Sequence, residues 1–396
     1  MAREYQPKRF FRDVPNRMLK LYFERHKVLD DVDFKALKET QVEPIHTAWL
    51  KLPQEVRDGM EQDFQDVDEL ATEGGAKAIL DEASFHREDL SGVFDSLGSF
   101  HERAFWTLLE RPTYWAGSLA FRHADAVAPR FWRKRKNLPH KSASVDPASI
   151  ENLQGAIGNY FHSTQGRGQH CKVECYKRDR LDYFFAYPAD YAQAEVVWMK
   201  DALQRRPRRP AFEIIFVYSQ DDRTLDIFLS GDRKPIADLQ SIFAETILKA
   251  TLAADEKDDR IYNLAPLRER QFSFVYRPES GIEDVVVTKL RLTVYGKKER
   301  LVLEADPTYN RHAVFDLMEK VGRGVPLSLT SVTQVGIKVT FSHDLNSKRP
   351  NTRSFDIGWP CSCSLRHQGR DALIRQMLID SGIEPRPPSK VTSSAA

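Results

Sequence analysis

The residues of this 396-residue chain best suited to chemistry are clustered cations. Arg130-Phe131-Trp132-Arg133-Lys134-Arg135-Lys136 interleaves aromatics with contiguous positive charge, and His140 and Lys141 follow closely. A second cluster, Arg205-Arg206-Pro207-Arg208-Arg209-Pro210, holds its backbone extended because proline denies it a helix, so its arginines are displayed. Phosphate backbones attract such clusters through counterion release, and aromatics stack on unpaired bases. Arg167, Lys172, Lys177, Arg178 and Arg180 lie between the two. The pattern marks Arg130, Arg133, Lys134, Arg135, Lys136, Arg167, Lys177, Arg178, Arg205, Arg206, Arg208 and Arg209 as candidate nucleic-acid contacts, with the two clusters expected to form one surface.

Other constellations are weaker. Gly166-Arg167-Gly168 would let backbone amides approach an anion, but the segment lacks the Gly-x-x-x-x-Gly-Lys spacing of a P-loop. His162-Ser163-Thr164 resembles one half of the paired His-x-Thr/Ser signature of two-histidine phosphoesterases. A second half is missing, since His46-Thr47-Ala48 falls on a predicted helix, so no residue of that family is carried over. Cys171-x-x-x-Cys175 and Cys361-x-Cys363, with His367 behind, have the wrong spacing for zinc knuckles. On a strand, positions 171 and 175 would stand about 13 Å apart, so these read as buried free thiols. Asp182, Glu213 and Asp226 fall on predicted strands, yet none has the lysine two positions on that a metal-dependent nuclease would use. The Asp255–Asp259 charge run reads as a solvated loop, and no Gly-x-Ser-x-Gly elbow is present. Neither a cofactor nor a metal is implied.

Charge is unevenly distributed. The chain is net +2 overall, but 30–110 carries seven basic against twenty acidic residues, whereas 111–210 carries eighteen basic against nine acidic. Such asymmetry speaks of partners. The uncharged stretch Gly324 to Ile337 is half polar, and no uncharged stretch reaches the about 20 apolar residues of a membrane helix. The charged Met1–Asp13 stretch lacks the apolar core of a secretory signal, and four cysteines make no disulfide framework. A reducing, cytoplasmic location is expected.

The elements that must position these groups change character along the chain. Residues 1–130 read as an α-helical domain: apolar residues recur at helical spacing over Asn16–Leu29, over the acidic Glu55–Leu70, and over Phe100–Leu109 and Tyr114–Ala126. Asp33 is placed to cap a short helix, and Gly74-Gly75 to stop or kink the Glu55–Leu70 helix. Residues 131–147 read as a basic linker. Residues 148–255 read as a first α+β module: a helix over Ala148–Phe161, four β-rich runs between Cys171 and Gly231, and a helix over Ile236–Leu252. Residues 256–385 read as a second, with strands at 271–277, 285–296, 300–305, 332–343 and 352–359 and helices over Ala313–Val321 and Asp371–Ile383. The Pro/Ser-rich 386–396 segment reads as a disordered tail. The expected class is α+β, a helical N-terminal domain followed by mixed, mainly antiparallel sheet modules each closed by a helix.

The function expected is a nucleic-acid-binding (DNA- or RNA-binding) or scaffold protein that uses a basic surface and has no catalysis of its own. The alternatives are a nuclease-like phosphodiester hydrolase, and an assembly subunit whose acidic and basic faces mediate protein–protein interaction or self-association.

Overall fold

A computed structural model describes residues 5–128, 131–199, 202–252, 261–296, 299–322, 327–342 and 351–385. Arg130, the Asp255–Asp259 run and the expected 386–396 tail lie outside the described residues. The chain forms two compact units, Met1–Val127 with Tyr176–Asp179, and Ala128–Cys175 with Arg180–Ala396.

The first unit contains α1 (Pro7–Asp13), α2 (Asn16–Arg25), α3 (Glu43–Leu50), α4 (Gln54–Leu70), α5 (Glu73–Phe85), α6 (Ser91–Ser96), α7 (Phe100–Glu110) and α8 (Trp115–Ala126). Its core is aromatic. Phe10, Phe11, Phe23, Phe64 and Phe105 are wholly buried, and Phe10 stacks on Phe64 at 4.4 Å between centroids. The acidic α4 buries Met60, Phe64, Val67 and Leu70 and leaves Val56 exposed. Part of its charge is used internally: Asp63 accepts from the Tyr22 hydroxyl at 2.6 Å, and Asp68 from Arg9 at 2.9 Å.

Two local expectations fail here. Asp33 starts a turn, not a helix, accepting from the amides of Lys35 and Ala36 at 3.1 and 3.3 Å. Gly74-Gly75 ends nothing, because Thr72 caps α5 by accepting from the Gly75 amide at 3.0 Å. A Cβ at Gly75 would stand 2.1 Å from the Leu70 carbonyl oxygen, so close backbone approach selects that glycine.

Apart from residues 176–178, which belong to the first unit, the second unit holds two five-stranded antiparallel sheets. The first comprises β1 (Trp132–Arg135), β2 (Cys171–Arg178), β3 (Leu181–Pro188), β6 (Ile214–Ser219) and β7 (Thr224–Leu229), in the order β1-β7-β6-β3-β2. Helices α9 (Pro147–Gln165) and α10 (Ile236–Thr246) cover it through Leu153, Ile157 and Phe161, and through Leu239 and Phe243. Between β3 and β6 the chain forms a separate two-stranded sheet, β4 (Gln193–Met199) and β5 (Ala202–Arg208).

The second sheet comprises β8 (Ile282–Val294), β9 (Arg300–Glu304), β10 (Thr330–Phe341), β11 (Asn351–Gly358) and β12 (Ser362–Cys363), in the order β12-β11-β10-β8-β9. Helices α11 (Ala313–Gly322) and α12 (Arg370–Asp380) pack on it through Val314 and Phe315, and through Ile374, Met377 and Leu378. The class is thus α+β. The two sheets differ in topology: β2-β3-β6-β7 is a meander, whereas β10 pairs with β8 and not with its predecessor β9.

The expected strand at 271–277 is not one. Phe272, Phe274 and Tyr276 do alternate onto the core, but the Val275 amide donates to the Ser381 hydroxyl at 2.8 Å instead of joining a ladder. The expected linker is also corrected. Its Trp132–Arg135 segment is β1, paired antiparallel with β7 from Trp132↔Phe228 to Arg135↔Leu225. The buried Trp132 and Leu138 anchor it on either side, so the basic run is part of a sheet.

Candidate functional site

The cationic residues that look alike in sequence fall into distinct structural classes. Arg133 and Lys134 are buried at 6% and 9% exposure, which removes them from any displayed surface. Lys134 donates to Glu384 at 2.8 Å and lies 3.8 Å from Asp226. Burial alone would lower its pKa, but Asp226 and Glu384 outweigh that and raise it, so the lysine stays charged. The Arg133 guanidinium donates to the Trp132 carbonyl at 2.5 Å, and burial followed by the nearby Arg233 lowers its pKa. Arg135 donates to Gln240 at 3.1 Å, and Lys136 is half-buried. The expected joint surface of Arg133–Lys136 with Arg205–Arg209 therefore loses Arg133 and Lys134, which are buried, Lys134 against Asp226 and Glu384.

Arg178 is corrected in the same way. It is wholly buried and held by Asp81 at 2.7 Å and Asp125 at 3.0 Å, with its guanidinium 5.1 Å from the Phe121 ring centroid. Arg167 pairs with Asp190 at 2.8 Å and lies over Phe212 at 4.0 Å, so the glycine-flanked segment uses its arginine as a structural clamp. Lys177 is exposed.

Arg205, Arg206, Arg208 and Arg209 are all exposed, and they are the predicted residues that the structure does bring together. They lie along or just after β5, in the two-stranded ribbon. That ribbon continues the β3–β6 hairpin. Ala186 pairs with Ile214, an isolated bridge joins Ala189 to Ala211, and Gln193 then pairs with Arg208 after a shift of one residue. Amide bonds from Asp190 to the Pro210 carbonyl and from Phe212 to the Pro188 carbonyl, 2.7 and 2.9 Å, carry the hairpin through the shift. Pro207 is tolerated because β5 pairs on one side only. Seven pairs at roughly 3.4 Å make the ribbon about 24 Å long.

Alternation gives the ribbon two unlike faces. Val196, Trp198, Leu203 and Arg205 share one, in the pairs Val196↔Arg205 and Trp198↔Leu203. Trp198 is 69% and Leu203 58% exposed. The other face carries Glu195, Gln204, Arg206 and Arg208 beside Val197 and Met199, with Arg208 bonded to Glu195 at 2.7 Å and Arg206 to Gln204 at 3.0 Å. Trp198 was missed in the sequence. The alternation Val196, Trp198 then Leu203, Arg205 was its available signal, obscured by the Arg-Pro repeat.

The four cysteines are free thiols whose pKa values burial raises, to about 12 for Cys171 and Cys175. Among the described residues no helix is long and apolar enough to cross a membrane. No protein-family model matches the chain, and no curated protein matches it in sequence.

Proposed function

We propose that this protein binds nucleic acid through the β4–β5 ribbon, in a reducing cytoplasmic setting and without catalysis of its own. The observation that carries the reading is three exposed arginines on a two-stranded ribbon and a fourth just after it, beside an exposed tryptophan. A two-stranded ribbon fits the major groove of B-DNA, about 12 Å wide, whereas the deep, narrow major groove of A-form RNA admits no such element. Arginine forks suit phosphate oxygens, and Trp198 supplies an apolar wedge or a stacking platform at a distorted or unpaired site. The ligand expected is therefore duplex DNA, held mainly by its backbone.

The test is fluorescence anisotropy with duplex DNA, single-stranded DNA and duplex RNA over a range of salt concentrations. Engagement of four phosphates gives a slope of log affinity against log salt of about −3.6. Replacing all four arginines by alanine abolishes this binding. Absence of binding to any of the three at low salt sinks the proposal. The exposed apolar face of Val196, Trp198 and Leu203 favours a second reading, self-association. That reading predicts an oligomer that Trp198→Ser dissociates, with nucleic acid irrelevant.

A further inference from the structure

The segment Arg300-Leu301-Val302-Leu303-Glu304 is a mirror about Val302, with leucines on either side and opposite charges at the ends. It forms β9, an edge strand of the second sheet that pairs only with β8 among the described residues. Leu301 and Leu303 pack on the core, while Arg300, Val302 and Glu304 are exposed on the other face, Val302 at 56%. The phase of the ladder fixes where the backbone points. The Val294 amide donates to the Glu299 carbonyl at 3.1 Å, and the Ala305 amide to the Thr288 carbonyl at 3.0 Å. Bonded residues alternate in an antiparallel ladder, so Leu301 and Leu303 turn their N–H and C=O groups to β8. Arg300, Val302 and Glu304 turn theirs to the open edge.

Elsewhere edge amides find partners. The Val173 amide of β2 donates to Gln154 Oε1 at 2.9 Å, and the Lys134 amide of β1 to the Cys361 carbonyl at 3.2 Å. The outward amides of β9 have none among the described residues, and neither a proline nor a bulge blunts the strand. Its end charges are loosely held. Arg300 has the like-charged Arg291 as its diagonal neighbour on β8 and no ion-pair partner among the described residues, and Glu304 stands 3.8 Å from Lys289.

We infer that β9 pairs with β9 of a second copy of this chain, antiparallel about a two-fold axis at Val302, joining two five-stranded sheets into one. Outward residues must face outward residues, which limits the register to slips of two. Centring on Val302 uses the whole strand and sets Arg300 opposite the second copy's Glu304 twice, by symmetry. A slip of two residues loses both charge pairs, because it sets Arg300 or Glu304 against Val302. Leu301 then meets the second copy's Leu303 on the core face. Each outward residue exchanges both backbone bonds with its opposite, about six bonds in all. An edge this short buries little area, so dissociation in the micromolar range is expected. The inference goes beyond the nucleic-acid reading and does not depend on it.

The test is sedimentation equilibrium of the nuclease-treated full chain across micromolar to submillimolar concentrations. A monomer–dimer equilibrium is the expected result. Val302→Pro abolishes it while leaving the melting temperature nearly unchanged, because the amide it removes faces away from β8. Arg300→Glu and Glu304→Arg each weaken the dimer at least roughly tenfold, since like charges then stand opposite at both ends. An equimolar mixture of these two variants restores a dimer, because every facing pair is again of opposite sign. Trp198→Ser leaves the equilibrium unchanged, which separates this contact from association through the ribbon. A monomer at every concentration overturns the inference. So does a dimer that survives Val302→Pro or is lost in Trp198→Ser, or a mixture of the two charge variants that stays monomeric.

Discussion

Two basic segments of the second unit, Arg133–Arg135 in β1 and Arg205–Arg208 in β5, have nearly the same composition and opposite fates. Both are strands, and both have aromatic neighbours. In β1 the aromatic is buried Trp132, and Lys134 meets Asp226 and Glu384, which stand 92 and 250 positions away. In β5 the aromatic opposite is Trp198, 69% exposed, and the carboxylate bonded to Arg208 is the solvent-facing Glu195. A cluster of cations therefore says little by itself about a binding surface. What decides is whether the strand lies on the five-stranded sheet with distant acids opposite, as the edge strand β1 does, or extends beyond that sheet with exposed side chains on both faces.

The largest expected effect breaks this comparison on the buried side. Lys134→Met leaves Asp226 and Glu384 buried without their counter-ion, and loss of one partner of a buried charge set costs about 3–5 kcal/mol. Arg205→Met removes an exposed side chain and changes stability by less than about 0.5 kcal/mol. Chemical denaturation of both variants measures the contrast, and equal midpoints would show that the two segments are energetically alike. Arg178→Met should also destabilise, though less than Lys134→Met, since it deprives Asp125 and Asp81 of the guanidinium while Asp81 keeps Lys77 at 2.9 Å. Arg178→Lys should restore only part of that loss, because one ammonium lacks the fork that reaches both acids.

The next effect lies on the exposed side. Replacing Gln193–Arg208 by Asn-Gly closes the β3–β6 hairpin close to the Ala189–Ala211 bridge. The five-stranded sheet and its helices keep their core, so the melting temperature should change little, while DNA binding is lost. Removing Arg205 and Arg206 alone should flatten the salt slope by about 1.8, with no preference among sequences, because phosphate contacts position without specifying. A variant without the ribbon that still binds DNA with the parental slope would move the interface elsewhere.

Legibility in the sequence follows the same physical division. The runs at 171–178 and 181–188 are strands as read, because β-rich segments bounded by turn residues need no distant information. The Asp221-Asp222 turn between β6 and β7 is equally local. The ribbon was illegible because Arg-Pro-Arg-Arg-Pro resembles a loop, and only pairing with Gln193–Met199 makes it a strand. The burial of Lys134 was illegible for a different reason. Its partners arrive from β7 and from the residues after α12, and no local pattern announces a contact across 250 positions.

The smallest effect sharpens the comparison through cysteine. Cys361 sits beside β1, its carbonyl accepting from the Lys134 amide at 3.2 Å. Cations near a thiol ordinarily lower its pKa and make it nucleophilic. Here burial raises the Cys361 pKa and outweighs the opposing pull of Arg133, the next largest influence. For Cys171 and Cys175, pushed up to about 12, the thiolate fraction at neutral pH falls about three-thousandfold below that of a free thiol with pKa about 8.5. Because these pKa values are raised, thiolate is withheld until the pH approaches them, so raising the pH from 7 to 9 should leave each native thiol far less reactive than in the denatured chain. Iodoacetamide labelling followed by peptide mass spectrometry reads all four sites separately. Arg133→Met should slow Cys361 further without changing Cys171 or Cys175, since it deletes the one residue whose charge chiefly opposes burial there. Rapid labelling of Cys361 in the native protein would mean that β1 is open to water, and the contrast between the two basic strands would then collapse from its buried side.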